Sequence, residues 1–230
     1  MGLYKLQRKI KIKWSSNFAY AIGLISSDGW LMSDERHIGF GSKEIELIEK
    51  FKEALSLTNK IIESAFHKKI NKTYFIIRFG DKLFYKFLNK IGLTHAKSKT
   101  IKSVKIPKKY FPDLIRGLFD GDGTFYSYWD KRWTKSFGFK LSFASASLDF
   151  IEWLKEQLTE LYGVKGYIHK GKGVFSLEYV KGDSKSLFRI MYHRQNMLYL
   201  KRKYDKMRMT IEQDEIFGLA YLQKHQTMPG

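Results

Sequence analysis

Two aspartates in this sequence could do chemistry. Asp28 ends the stretch AIGLISSDG (21–29) but for its glycine, and Asp122 does the same in IRGLFDGDG (115–123), 94 residues later. Gly23, Leu24, Asp28 and Gly29 fall on Gly117, Leu118, Asp122 and Gly123. Each acid follows an apolar, helix-like run and so lands at a helix C-terminus. The partial negative charge there disfavours a carboxylate by about 0.3–1 kcal/mol. Gly23 and Gly117 sit inside those helices at a cost of ~1 kcal/mol each relative to Ala, which makes sense if the helices must approach closely there. Such packing gives an approximate two-fold axis within one chain and brings the acids together. Two adjacent carboxylates need a cation, or one must protonate. Divalent metals with oxygen ligands resolve the conflict, and carboxylates astride a two-fold beneath a basic surface suit two-metal phosphodiester hydrolysis. Gly29 and Gly123 are expected to be left-handed helix caps. Asp120 has only Ser26 opposite it, and residues two apart on a helix point about 200° apart. It is read as a structural acid bonding nearby backbone N–H groups, outside the chemistry.

The elements that must position these acids also repeat. Residues 37–55 align with 140–158, and AKSK (96–99) with LKRK (200–203). Each repeat reads as helix, two strands, helix, two strands, helix. In the first, a helix is expected over 15–27 and strands over 29–34 and 36–41. An amphipathic helix follows with Ile45, Leu47, Ile48, Phe51, Ala54 and Leu55 at a 3.6-residue period. Strands over 60–69 and 73–79 and a helix over 81–92 complete it. In the second, Phe137, Phe139, Leu141 and Phe143 alternate toward a core, as do Phe175, Leu177 and Tyr179. The predicted fold is α+β: two pseudo-two-fold αββαββα repeats, antiparallel β-saddles, and the motif helices packed at the centre. The expected divisions are a first repeat (1–92), a linker (93–110) with six lysines and no acid, a second repeat (111–212), and a short helix or loose tail (213–230). Pro112 fits the first turn of the second motif helix, where its missing N–H costs nothing.

Composition points to the partner. Forty-two Lys and Arg against 23 Asp and Glu give the 230-residue chain a net charge of +19, which favours a polyanion, nucleic acid before membrane. The longest apolar run, Phe18 to Ile25, is too short for a membrane-spanning helix. No signal-peptide pattern opens the chain. The absence of cysteine removes disulfides and thiolate metal sites, which fits an intracellular, reducing compartment such as cytoplasm, nucleoid or organelle matrix.

The two nonapeptides resemble the paired signature of LAGLIDADG homing endonucleases of the single-chain, monomeric type, and the resemblance spans about residues 15–210. It implies a site-specific endonuclease cutting both strands of a long asymmetric DNA target across the minor groove, leaving 3′ overhangs. The β-saddles would lie in the major groove. It implies Mg²⁺ as cofactor, with Mn²⁺ substituting and Ca²⁺ supporting binding without cleavage. Asp28 and Asp122 would bind metal, aided by the Ser27 and Gly121 carbonyls. Lys97 and Lys201 would lie near the scissile phosphates, stabilising charge or ordering the attacking water; the plainer reading of either is a solvated basic linker. Ser42 and Ser145 match the solvent-network position, and Lys43, opposite Ala146, would act on one side only. Strand parity selects the DNA-facing residues Trp30, Met32, Asp34, His37, Tyr74 and Arg78 in repeat one. In repeat two it selects Tyr126, Tyr128, Asp130, Arg132, Ser136, Lys140, His169, Lys172, Ser176 and Glu178. Core packing is the plainer reading for Trp30 and the tyrosines. Saddle strands of roughly ten residues at about 3.3 Å each would cover on the order of twenty base pairs. The alternatives are an RNA maturase acting on a host intron, and a catalytically silent DNA-binding regulator, which would usually have lost the acids. An embedded intein is not expected, for want of a leading Cys or Ser and a terminal His-Asn.

Overall fold

The structure, a computed structural model, describes residues 10–65, 73–131 and 136–226. The first repeat runs α1 (Ser16–Asp28), β1 (Gly29–Leu31), β2 (His37–Ser42), α2 (Ile45–Leu55), β3 (Ile62–Ala65), β4 (Thr73–Gly80) and α3 (Lys82–Lys90). The second runs α4 (Phe111–Asp122), β5 (Thr124–Trp129), β6 (Phe137–Ser145), α5 (Leu148–Tyr162), β7 (Tyr167–Lys170), β8 (Phe175–Val180) and α6 (Lys181–Met191). A last helix, α7, covers Lys201–Gln226. The two sheets are four-stranded and antiparallel throughout, in the orders β1-β2-β4-β3 and β5-β6-β8-β7. The α+β class and the doubled αββαββα plan are therefore as the sequence implies. Of the strand expected over 60–69, residues 66–69 lie outside the described residues.

α1 begins where Ser15 accepts the Phe18 N–H, satisfying one of the helix's four orphan donors. Pro112 occupies the first turn of α4 as expected. The two helices cross at their glycines. A Cβ on Gly23 would come within 2.3 Å of the Leu114 carbonyl oxygen, and one on Gly117 within 2.2 Å of the Tyr20 carbonyl oxygen. Backbone meets backbone here, and neither wall can yield.

The glycines at the helix ends correct an expectation. Gly29 (φ −82°) and Gly123 (φ −73°) are extended, not left-handed. Glycine is needed at these positions for space. A Cβ on Gly29 would come within 2.7 Å of Ile25 Cα, and one on Gly123 within 2.4 Å of the Phe119 ring. The chain passes from helix straight into strand with no connecting loop.

Each sheet buries one face under its helices, as the alternation of β6 predicts: Phe137, Phe139, Leu141 and Phe143 are all buried. β1 is shorter than the expected 29–34. Asp34 ends it by accepting the backbone N–H groups of Arg36 and His37, which folds the chain back. Of the short helix or loose tail expected beyond residue 212, the structure has the helix, as the continuation of α7 through Gln226. Met207, Thr210, Ile211 and Asp214 form a buried stripe at helical spacing. Asp214 pairs with Lys181 and Lys185 of α6, and Phe217 packs on Trp129 and Phe137. α7 is thus docked on the second repeat as far as Phe217.

Candidate active site and nucleic-acid surface

The crossing of α1 and α4 sets their C-terminal ends side by side. Ser27 Oγ and Asp28 Oδ2 lie so close over Gly121 that a Cβ there would come within 2.0 and 2.6 Å of them. Asp28 is half-buried, and its pKa is pushed up to about 6 by burial first and then by the Asp122 charge. Asp122 is more open, yet the protein mass beneath it also raises its pKa. The two acids thus share one field and resist joint ionisation.

Each helix end is tied by a lysine from beyond its own repeat's third helix. Lys97 lies in a short 3-10 turn entered through left-handed Ala96 (φ 57°) and is 4% exposed. Its Nζ donates to the carbonyls of Ser26 (2.9 Å) and Ser27 (3.4 Å). Burial depresses its pKa to about 8 against the pull of Asp122 and Asp28. On α4 the matching cation is Lys203. Its Nζ is shared among the carbonyls of Phe119 (2.7 Å), Asp120 (2.9 Å), Gly121 (2.9 Å) and Gly123 (2.7 Å). Burial lowers its pKa as well.

Lys201, selected from the sequence, is therefore displaced from this position. It is exposed and pairs with Asp205 one turn along α7. The AKSK and LKRK blocks align residue by residue, but one folds as a 3-10 turn and the other opens an α-helix. Their side chains consequently fall out of step, and residues 201 and 203 point about 200° apart. A cavity of about 170 Å³ opens beside Lys97, lined also by Ser27, Asp122, Phe143 and Ser145. It joins the lysine of one half to the acid of the other.

The remaining expected site residues are placed as follows. Ser42 Oγ accepts the Glu44 N–H and Ser145 Oγ the Ser147 N–H, each at 3.1 Å, so both serines shape the turn into the next helix. Lys43 is exposed. The Ser27 and Gly121 carbonyls both face a lysine, each keeping a second lone pair. Asp120 is buried, its Oδ2 accepting the Leu200 N–H and the Tyr20 hydroxyl, each at 2.8 Å. A backbone N–H partner agrees with the expectation, but it comes from 80 residues away.

Sequence reasoning missed a buried polar chain across the α1–α4 contact. Fully buried Arg116 donates to Asp113 (2.8 Å) and to the carbonyls of Leu198 (2.9 Å) and Met191 (2.8 Å), and it lies 5.3 Å from the Tyr20 ring. Ser16 Oγ donates to Asp113. The sequence signal was an Asp and an Arg three apart in the apolar part of the helix, before Asp120 and Asp122.

The sheet faces turned away from the helices carry most of the expected DNA-facing residues. In repeat one Trp30, Gly39 and Arg78 align in register. The indole lies flat across Gly39, with the Arg78 guanidinium 5.9 Å from its ring. Tyr74 covers Gly41, and burial followed by the Asp28 and Asp122 charges raises its pKa, so it borders the acids. Met32 is exposed in the β1–β2 turn. Asp34 holds that turn and pairs with His37, and the His37 backbone N–H chiefly pulls its pKa down to about 2.

In repeat two Tyr126 pairs with Lys140 and His169 with Ser176. Lys140 Nζ donates to Glu178 (2.9 Å), and His169 Nε2 lies 3.6 Å from the same carboxylate. Tyr128 covers Gly138, with the Tyr126 ring 6.1 Å away. The Asp130 N–H donates to the Ser136 carbonyl, which narrows the hairpin, and Lys172 is exposed in the β7–β8 turn. Arg132 lies outside the described residues. Tyr167, 60% exposed and opposite Glu178, shares this face and was missed, although the alternation that selects His169 also selects it.

Residues 15–92 and 113–191 both match the LAGLIDADG-like domain. The chain belongs to the LAGLIDADG-like family. It is similar to reverse gyrase of Methanocaldococcus jannaschii, 26% identical over 168 residues, which is 72% of this chain but only 9% of that relative's length. Its fold is similar to that of the homing endonuclease I-WcaI bound to its DNA recognition sequence, with a TM-score of 0.58 and 15% identity over 82% of this chain and 89% of that one. It is also similar to full-length DUF199/WhiA from Thermatoga maritima, with a TM-score of 0.56 and 13% identity over 94% of this chain and 70% of that one. At these identities the likeness to the solved structures is one of fold.

Proposed function

We propose that this LAGLIDADG-like protein is a site-specific, divalent-metal-dependent double-strand DNA endonuclease. The single chain supplies both halves of the site. The observation that supports it most is the meeting of Asp28 and Asp122 at the abutting ends of α1 and α4 in a +19 chain.

The residues present fit a hard divalent cation. Among the described residues no group of three or more His, Cys, Asp or Glu converges, so no all-protein cage is offered. Mg²⁺ commonly uses one or two carboxylates with water and phosphate oxygens instead. Asp28 and Asp122 would hold it, with the Ser27 and Gly121 carbonyls beside them. The missing side chain of Gly121 lets the Asp28 carboxylate close against the end of α4, beside the Gly121 carbonyl. When bound, such an ion would polarise the scissile phosphate and lower the pKa of an attacking water.

The protein's own groups do the rest. Lys97 and Lys203 hold the helix ends in place and put positive charge where phosphate charge develops. The cavity beside Lys97 has space for ordered water next to Asp122. The sheet faces bind DNA. Lys140 and Glu178 are suited to a G·C pair, the one donating to guanine and the other accepting from the cytosine amino group. The apolar Trp30 and Tyr74 surfaces suit thymine methyl groups. Cleavage across the minor groove then leaves 3′ overhangs.

The test is incubation with a randomised duplex library and Mg²⁺, followed by sequencing of the cut ends. One recurrent asymmetric site is expected. Asp28→Asn and Asp122→Asn should each abolish double-strand cleavage while binding in Ca²⁺ persists. Undiminished cleavage by the double variant would sink the assignment. Binding without cleavage in any divalent metal would favour a DNA-binding regulator.

A further inference from the structure

We propose that Asp120 is the positioning residue for Lys203, so that the half of the active centre built on α4 depends on a contact the other half lacks. Asp120 is 1% exposed and gathers three elements. Its own helix carries the motif, the Tyr20 hydroxyl reaches it from α1, and the Leu200 N–H reaches it from the segment before α7. Leu200 is also where α7 starts, because its carbonyl accepts the N–H groups of Lys203 (3.0 Å) and Tyr204 (3.1 Å). The carboxylate therefore fixes the origin of the helical turn from which Lys203 returns to the carbonyls of residues 119, 120, 121 and 123. Arg116 secures the approach by binding the Leu198 carbonyl.

Among the described residues nothing equivalent gathers at position 26. The Ser26 hydroxyl donates to the Ile22 carbonyl within its own helix. Lys97 is held in another way. The Ile101 N–H donates to its carbonyl (2.8 Å), and the Ile101 carbonyl accepts from Ser147, which caps α5. Loss of Asp120 should thus loosen one lysine and spare the other. The geometric claim stands on these contacts alone. Only its consequence for cleavage rests on the nuclease reading.

Two measurements on the full chain separate them. In the first, amine-selective acylation is followed by peptide mass spectrometry. Asp120→Ala is expected to raise the Lys203 modification rate about tenfold, as loss of a charge-assisted hydrogen bond implies, with Lys97 essentially unchanged. Asp120→Asn, which keeps the shape, should move Lys203 in the same direction by less, and it carries the test if the alanine variant does not fold. In the second, each strand of the selected target is labelled. Asp120→Ala and Lys203→Met should slow the same strand by roughly 10²–10³ and accumulate nicked duplex, whereas Lys97→Met should spare that strand and slow the other. An unchanged Lys203 rate in folded Asp120 variants, or equal slowing of both strands, overturns the proposal. If the wild type neither binds nor cuts DNA, the nuclease reading fails and the labelling result alone decides the positioning role.

Discussion

At the scale of single residues, the helix-end acids work against the fold they belong to. The Asp28 carboxyl has a pKa of about 6 in the folded chain against 3.8 when unperturbed. The folded state binds that proton more tightly, so ionisation lowers stability as pH rises from about 4 through about 6, and the penalty is complete above that. Asp28→Asn removes it. In the presence of a chelator the variant should melt higher than the wild type at pH 8 and lose that advantage at pH 4. A difference that ignores pH would contradict the account. Gly121→Ala makes a complementary prediction, because its methyl would press on Ser27 Oγ and Asp28 Oδ2. Cleavage should fall by at least about 10², the scale on which a 1 Å misplacement acts, while circular dichroism stays native. Asp28 and Asp122 were legible in the sequence because their spacing repeats. Lys203 was not, because which lysine reaches a helix end depends on whether its segment folds as a 3-10 turn or an α-helix. Arg116 and Tyr20 were hidden for a related reason: the Leu198 and Met191 carbonyls that Arg116 meets and the Asp120 carboxylate that Tyr20 meets lie 75 to 100 residues away, and such contacts leave no local pattern.

At the scale of elements, the contact between α1 and α4 leaves no room for a side chain at its glycines. Gly117→Ala would drive a methyl to 2.2 Å from a backbone oxygen of α1. The helices would have to part, at a cost of about 3 kcal/mol or more, measurable by urea denaturation. The sheets should tolerate change better at exposed outer-face positions such as Tyr167, which is 60% exposed. α7 lies between these extremes. Removing the Asp214 carboxylate abandons two lysines that are partly solvated, so Asp214→Ala should destabilise by about 1–3 kcal/mol, less than a fully buried pair would. Periodicity made nearly every element of the repeats readable beforehand. It left the end of α7 open between helix and tail, because the docking stripe there continues through Asp214, a residue that apolar patterning counts as surface.

At the scale of the whole molecule, charge and pseudo-symmetry act together. A +19 chain that neutralises phosphates should lose affinity steeply with salt, with log K falling linearly in log[salt]. A flat salt response would remove the DNA interface from consideration. The halves also clasp one another reciprocally. Arg202, at the start of α7, makes a two-pronged ion pair with Glu44 of repeat one, and Lys102 of the linker lies 3.7 Å from Asp149 of repeat two.

The buried chain of Ser16, Tyr20, Asp113, Arg116 and Asp120 has a direction. Its hydroxyl donors belong to the first half, and its acids and guanidinium to the second. Two second halves placed face to face would offer acids and guanidinium groups but no hydroxyls, and two first halves would offer hydroxyls with nothing to receive them. The crossing point thereby works as a mating key that fits only unlike partners. If the chain were severed in its linker, the fragments would find each other and shun their own copies.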